Sequence, residues 1–394
     1  HLEMGGDAAA LRPIVAGGNG IYVQARGSAV RDLSFDEIAG LKSADLSIYS
    51  GHLFDGYTLV DWCYQQIPHS IIWAARSDGV LLGLTYVREH ELVGWHRHEF
   101  DGEVENVCSI PEGDEDVLYL VVKRTIGGAT KRYIERMATR QISSIEDAVF
   151  VDCGLSYDGR NVAATTMTLT GSGWTYQDTL TLTASAGFFI AGDVGNSIHL
   201  FLGDELVRCE ITAYTSSTVV SVRPNRTVPA SMRSVAISEW SKAVDELGGL
   251  WHIEGEDVSI LADGFVAASP NNASYTVKTV TNGSVTLDRP AAVIHVGLPI
   301  TADIETLDPD VSQGETMMDK NKRIGKVTVF CDKTRGLFFG PRPPEEAERY
   351  DVDDPDPLLG LDELKIRGAA GENYDDPVAL LTGSAQVIIR SNWN

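Results

Sequence analysis

The chain has 394 residues, 43% hydrophobic and 22% charged, an ordinary balance for a protein that buries a core, with room for two or three domains. Its 56 acidic against 32 basic residues leave a net charge of −24, a field that repels phosphate and argues against tight DNA or RNA binding. The cysteines (Cys63, Cys108, Cys153, Cys209, Cys331) are odd in number, scattered and without a C-x-x-C, which argues for reduced thiols and against a zinc ribbon; no apolar run approaches the roughly 18 residues of a transmembrane helix, and a signal peptide is not expected.

Residues 1–10, opening "HLEM", read as an expression scar and linker joined to the middle of a larger protein. A unit then recurs. "GIYVQARGSAVRDLSF" (20–35), "HSIIWAARSDGVLLGLTY" (69–86) and "VLYLVVKRTIGGATKRYIERM" (117–137) each read as a strand, a turn and a second strand. The first strands end at Arg26, Arg76 and Arg124, spaced by 50 and 48 residues. The turns are Gly27-Ser28, Asp78-Gly79 (read as a two-residue turn) and Gly127-Gly128. Ile71 to Arg76 and Leu81 to Tyr86 are apolar on both alternating faces, the pattern of strands covered from both sides. With "TLVDWCYQQ", "ELVGWHRHEF" and "VENVCSI" between the hairpins there are about four strands per repeat, which predicts β-propeller-like blades over 11–154; a β-sandwich with coincidental spacing is the alternative.

The texture then changes. A Thr-, Ser- and Gly-rich run over 163–240 predicts an inserted small β-barrel-like domain, assigned to 155–243, closed by a short helix in "SEWSKAVDELGG" with Ser238 as N-cap. Propeller-like sequence resumes over 244–303, with an Asn282-Gly283 hairpin turn. Residues 304–394 form a C-terminal β-rich region. It contains a hairpin in "IGKVTVFCDKTRGLFFG", a Pro- and Asp-rich loop, and a final strand in "AQVIIRSNWN" without an obvious partner. The expected class is all-β.

Motifs that carry chemistry are few. His96 and His98 in "GWHRH" share one face of a strand, so two imidazoles could meet a metal, with Glu89, His90 and Glu91 just upstream. The same spacing fits two polar residues on a solvent-facing strand edge, and no metal is assigned. Asp351, Asp353, Asp354 and Asp356 are hard oxygen ligands, but the loop lacks the glycine and closing glutamate of an EF-hand and reads as a solvated acidic loop. No carboxylate pair stands out for glycoside hydrolysis and no G-x-S-x-G elbow is present. Cys63 and Cys108 fall in predicted strands and read as core thiols; "AGGNGIY" precedes a strand and so is not a phosphate loop. Trp62, Trp73, Trp95 and Tyr86 read as core rather than as a sugar-stacking platform. No catalytic or cofactor-binding residue is assigned, and no cofactor is expected.

"IYVQARGSAVRDLSF", "DWCYQQIPHSIIWAARSDGVLLGLTYVREHELVGWHRH" and "VLYLVVKRTIGGATKRYIERM" resemble the tail nozzle (tail tubular B, or tail-hub) proteins of short-tailed bacteriophages and prophages. The likeness covers 11–138 closely. It extends more loosely through the insert, which is similar to a module likened to a domain of ubiquitin-activating enzyme. The resemblance implies a structural virion protein without catalysis, typically a ring of six copies beneath the portal and adaptor. Such a ring conducts DNA during ejection without reading its sequence and docks fibres or spikes. It is made in the bacterial host cytoplasm, does not insert into a membrane and resides in the phage tail. A carbohydrate-binding or carbohydrate-hydrolysing propeller protein of host attachment is the alternative.

Overall fold

The computed structural model describes residues 11–300 apart from 26–28, 37–39, 91 and 272–274, together with six short strands beyond residue 301. Among the described residues the fold is nearly all β, built from several antiparallel sheets, and its helix is confined to short 3-10 turns. The chain divides into two compact units: His1–Gln141 with His252–Gly255, and Ile142–Trp251 with Glu256–Asn394.

The first unit contains three sheets in chain order, each with neighbouring strands paired in sequence. The first is β1 (Ile14–Ala16), β2 (Asn19–Val23), β3 (Val30–Asp36) and β4 (Gly40–Lys42). The second is β5 (Leu59–Gln65), β6 (Ile71–Arg76), β7 (Leu81–Val87) and β8 (Leu92–His98). The third is β9 (Glu103–Glu112), β10 (Glu115–Ile126) and β11 (Ala129–Arg136). The three repeated segments are therefore the hairpins β2–β3, β6–β7 and β10–β11, within sheets of four, four and three strands.

Alternation along the middle hairpin decides the layering. Ile72, Ala74, Leu82 and Leu84 point to one side and join Ile21, Val23, Val30, Phe54 and Trp62 in one core. Ile71, Trp73, Ala75 and Leu81 point to the other and join Val104, Val107, Leu118, Leu120 and Val122 in a second. The second sheet thus lies between the first and the third, and all six residues of β6 are buried. Burial of each such aliphatic or aromatic side chain stabilises the fold by about 1.5–3 kcal/mol.

The arginine near the end of the first strand of the hairpin has the same role in two copies. Arg76 donates from Nε and Nη2 to both carboxylate oxygens of Asp78 at 2.8 Å, and from Nη1 to the carbonyl of Leu53 at 2.8 Å. Arg124 donates from Nε and Nη2 to both oxygens of Glu135 at 2.6 and 2.7 Å, and from Nη1 to the carbonyl of Asp101 at 2.8 Å. Leu53 and Asp101 both lie in the connection that delivers the chain from the preceding sheet. A planar guanidinium with five fixed donors suits this task, since it holds a carboxylate bidentately and still has a donor for the backbone. Arg26 lies outside the described residues.

The turns follow their glycines, with one correction. Gly127-Gly128 is a two-residue turn with φ of 58° and 77°, and Asn282-Gly283 another with 56° and 69°, as expected of such dipeptides. The β6–β7 connection is instead a three-residue loop, Ser77 to Gly79. Arg76 N–H bonds the Val80 carbonyl, and only Gly79 in the loop has positive φ. Asp78 stays out of the left-handed region and faces Arg76.

The second unit holds β12 (Asp152–Asp158), β13 (Met167–Thr170), β14 (Leu180–Ala184), β15 (Ser197–Leu202), β16 (Glu205–Ser216), β17 (Val219–Pro224) and β18 (Ala236–Ile237). It continues with β19 (Trp240–Gly248), β20 (Asp257–Ala262), β21 (Phe265–Ala268), β22 (Lys278–Thr279), β23 (Ser284–Ala291) and β24 (Val293–Leu298). One sheet runs β18-β13-β14-β17-β16-β15-β19-β23, and another β12-β24-β20-β21 with β22 beside β20. Within 236–248, the first two residues pair with β13 and residues 240–243 with β15. Met167, Leu169, Leu182, Ile198, Leu200, Val207, Val220, Val222 and Trp240 fill the core of the larger sheet.

The helix expected in "SEWSKAVDELGG" is a strand, β19. Trp240, Ala243 and Leu247 are buried at a spacing that one helix face would also show. What decides the matter is that β15 and β23 flank the segment and take up its backbone hydrogen bonds on both sides. The domain boundaries drawn from texture at 154, 243 and 303 each fall inside a strand: β12, β19 and β25 (Ala302–Glu305). Beyond it lie β26 (Lys322–Ile324), β27 (Leu337–Gly340), β28 (Asp362–Leu364), β29 (Leu381–Gly383) and β30 (Ile388–Ser391). Most of the hairpin expected over 324–340 lies outside the described residues; of its described ends, β26 pairs with β29, and β27 with β28 and β30. The last strand, β30, has two partners, β25 and β27.

Arg124 is 2% exposed. Its replacement by methionine strands the half-buried Glu135 carboxylate and should cost about 3–5 kcal/mol in urea denaturation, whereas Arg124→Met combined with Glu135→Leu should recover most of that loss. Equal losses in the single and double variants would show that the ion pair is not what holds the connection.

Candidate functional site

The histidine pair lies on β8 and faces inward. His96 Nδ1 and His98 Nε2 are 2.8 Å apart, so one ring donates and the other accepts. Both rings stand against Trp73, with centroid distances of 5.5 and 5.2 Å. Trp73 Nε1 donates to Gln65 Oε1 at 2.9 Å, and Arg140 Nη2 donates to the same oxygen at 3.2 Å. A solvent-facing strand edge therefore does not describe the pair. Gly83 on β7 makes the room, because a Cβ there would overlap the His96 ring. Burial lowers the His96 pKa, with Arg140 adding to the effect; burial, then His96, then Arg140 push His98 down to about 4. Among the described residues no third histidine, cysteine or carboxylate gathers to complete a metal site. Glu89 and His90 lie in a 3-10 turn, and Glu91 is outside the described residues, as are Asp351, Asp353, Asp354 and Asp356.

The other singled-out residues are mostly structural. Trp62, Trp73 and Tyr86 are buried, and Trp95 packs against the same core as Trp62. Cys63, Cys108, Cys153 and Cys209 are in no disulfide, and Cys331 lies outside the described residues. Burial raises Cys63 to about 12 and Cys209 likewise, which leaves both as unreactive thiols. Cys108 is exposed, contrary to the expectation of a core position, because β9 turns that face of the third sheet outward. "AGGNGIY" is the β1–β2 turn. Its Asn19 side chain donates to Asp32 Oδ2 and Tyr86 Oη and accepts from Arg88 Nη1.

Sequence reasoning did not single out a large concavity in the second unit. On β15, Ile198 and Leu200 enter the core while Ser197 and His199 face out; on β16, Val207, Cys209 and Ile211 enter and Arg208 and Glu210 face out; on β17, Val220 and Val222 enter and Arg223 faces out. Register sets these outward residues in rows: Ser197 beside Glu210 beside Arg223, and His199 beside Arg208. The β20–β21 hairpin, through Asp263 and Phe265, and the end of β23, through Leu287 to Ala291, line the opposite side of a groove of about 820 Å³.

One buried side chain lines this groove and another lies next to it on the neighbouring strand. His199 is 3% exposed, and neither ring nitrogen has a hydrogen-bond partner among the described residues. Ser241 lies directly across from it on β19, 1% exposed, with its Oγ unsatisfied. Burial holds the His199 pKa down to about 4, opposed by Asp263 and aided by Arg208. Arg208, Arg223, Arg289, Glu210 and Asp245 also line the groove, and none makes an ion pair among the described residues. Asp263 Oδ1 accepts from the Ala292 and Val293 amides at 2.8 and 2.9 Å, and Asp288 is paired with Lys278.

Fold and geometry together define a nearly all-β protein of stacked antiparallel sheets with a polar groove. No family model matches the chain, and no curated protein matches it. No helix among the described residues is long and apolar enough to cross a membrane.

The histidines predict an acid response. A histidine whose folded pKa lies below its unfolded value of roughly 6.5 keeps its stabilising neutral burial above that pH and loses it as the pH falls towards the folded value. His98 and His199, both at about 4, should therefore lower the urea midpoint progressively between roughly pH 6.5 and 4. The fully buried His199 accounts for up to roughly 3 kcal/mol at the acid end. A His199→Gln variant should show a shallower slope; an unchanged slope would remove His199 as a source.

Proposed function

We propose that the chain is a structural component of a short-tailed phage tail, part of the nozzle that conducts DNA and docks fibres or spikes, and that it has no catalytic role. The observation that carries this reading is the recurrence of one hairpin in stacked sheets, two of whose copies fix the incoming connection with the same arginine, bidentate to a carboxylate and bonded to a backbone carbonyl. Such a unit resists shear between layers, which is what a mechanical part needs. In this reading the three sheets of 11–136 are propeller-like blades. Residues 163–240 are a small barrel-like insert, supported by the pairing of 236–243 with both β13 and β15. The net charge of −24 suits a wall past which DNA slides without sticking.

A second reading, a carbohydrate-binding or carbohydrate-hydrolysing protein of host attachment, is favoured by the polar groove of the second unit. Electron microscopy of the full-length protein separates the two. A ring with a central lumen, and a solution mass that is a multiple of the subunit, are expected of the nozzle. A monomer at all concentrations that hydrolyses a polysaccharide would overturn it.

A further inference from the structure

We propose that the groove between the outer face of β15–β17 and the β20–β21 hairpin binds a neutral polyhydroxylated ligand, a saccharide of two or three units. The inference deepens the second reading and does not depend on ring formation.

Size and satisfaction come first. A cavity of about 820 Å³ lies in the range of small-molecule sites and far exceeds the space of a bridging water. His199 lines it nearly fully buried, with both ring nitrogens unpartnered, and the unsatisfied Ser241 Oγ is its cross-strand neighbour. The His199 nitrogens are bonded by no group among the described residues and open to the groove, so an occupant with donors and acceptors can reach them; Ser241 itself does not line it.

Charge then selects the class of occupant. Arg208, Arg223 and Arg289 supply donors; Glu210, Asp245, Asp263 and Asp288 supply acceptors. A phosphate would meet four carboxylates, and a divalent cation would meet three guanidinium groups. A ligand without charge avoids both penalties. Register interleaves the two kinds of group: Glu210 stands directly across from Arg223 without pairing to it, and Ser197 lies on the other side of Glu210. Each sugar hydroxyl both donates and accepts, so adjacent hydroxyls can bridge such a donor–acceptor row. Phe265, 63% exposed, sets an aromatic ring at the groove, and its electron-rich face suits the C–H side of a pyranose.

The test is isothermal titration of the full chain with maltotriose, cellotriose and triacetylchitotriose, beside inorganic phosphate and calcium. Saturable binding of at least one saccharide is expected. It should weaken about tenfold or more in Arg223→Ala and in Glu210→Gln, the usual cost of one charged hydrogen bond. Both positions are exposed, so the melting temperature should not move. Absence of saccharide binding, binding untouched by both substitutions, or saturable phosphate or calcium binding abolished by them would each overturn the proposal. A ring-forming full-length protein that binds no saccharide refutes this inference and leaves the tail reading intact; a saccharide-binding monomer does the reverse.

Discussion

The first unit depends on a sheet that cannot face water on either side. β6 and the start of β7 place Ile72, Ala74, Leu82 and Leu84 on one face and Ile71, Trp73, Ala75 and Leu81 on the other, all buried. Exposing either row would cost the hydrophobic gain of several large side chains, so the middle sheet exists only as the filling between two others. The outer sheets are correspondingly one-sided. The third turns Lys123, Arg132 and Arg136 outward to Glu103, Glu105 and Glu112, and its opposite face covers Trp73 and its neighbours.

Polar groups inside that stack are held in closed sets. Arg76 and Arg124 each meet a carboxylate and a carbonyl, Asn19 meets three partners, and the two imidazoles on β8 share one hydrogen bond beside Trp73. The arginine sets fix where a connection enters the next sheet, and the Asn19 set ties the first sheet to the second. Among the described residues of the second unit, the rule is broken at the Oγ atoms of Ser241 and Ser269. His199 on β15 and its cross-strand neighbour Ser241 on β19 are both buried, and no group among the described residues bonds the His199 ring. The polar sets of the first unit thus hold one another, whereas His199 and Ser241 in the second are left to groups outside the protein or to none.

Much of the first unit was legible in the sequence, because its signals are local. Alternation over "IIWAAR" and "LLGLTY" announces strands covered twice, and Gly127-Gly128 and Asn282-Gly283 announce their turns through the φ values that they permit. The aromatic residues Trp62, Trp73 and Tyr86 fell in the core as their spacing implied. Local signals were insufficient where two structures share one pattern. Trp240, Ala243 and Leu247 fit a helix face and a strand edge equally, and Asp78-Gly79 fits a two-residue or a three-residue loop until the grip of Arg76 on Asp78 is known.

By itself the sequence determined the all-β class, the position and number of the repeated hairpins, the two-sided burial of the middle one and the acidic surface. All of these follow from backbone periodicity, turn chemistry and charge, which act over a few residues or sum over the chain. Only the tertiary structure decided that β19 is a strand, that the histidines of β8 face Trp73, and that Ser197 and His199 of "SIHLFL" are buried at a groove whose rim carries the exposed Arg208 and Glu210 of "ELVRCEI". The alternation in those two segments was plain to see, but whether its outward face meets water or a groove depends on a hairpin some sixty residues further along the chain. No local rule of pattern carries information across that separation.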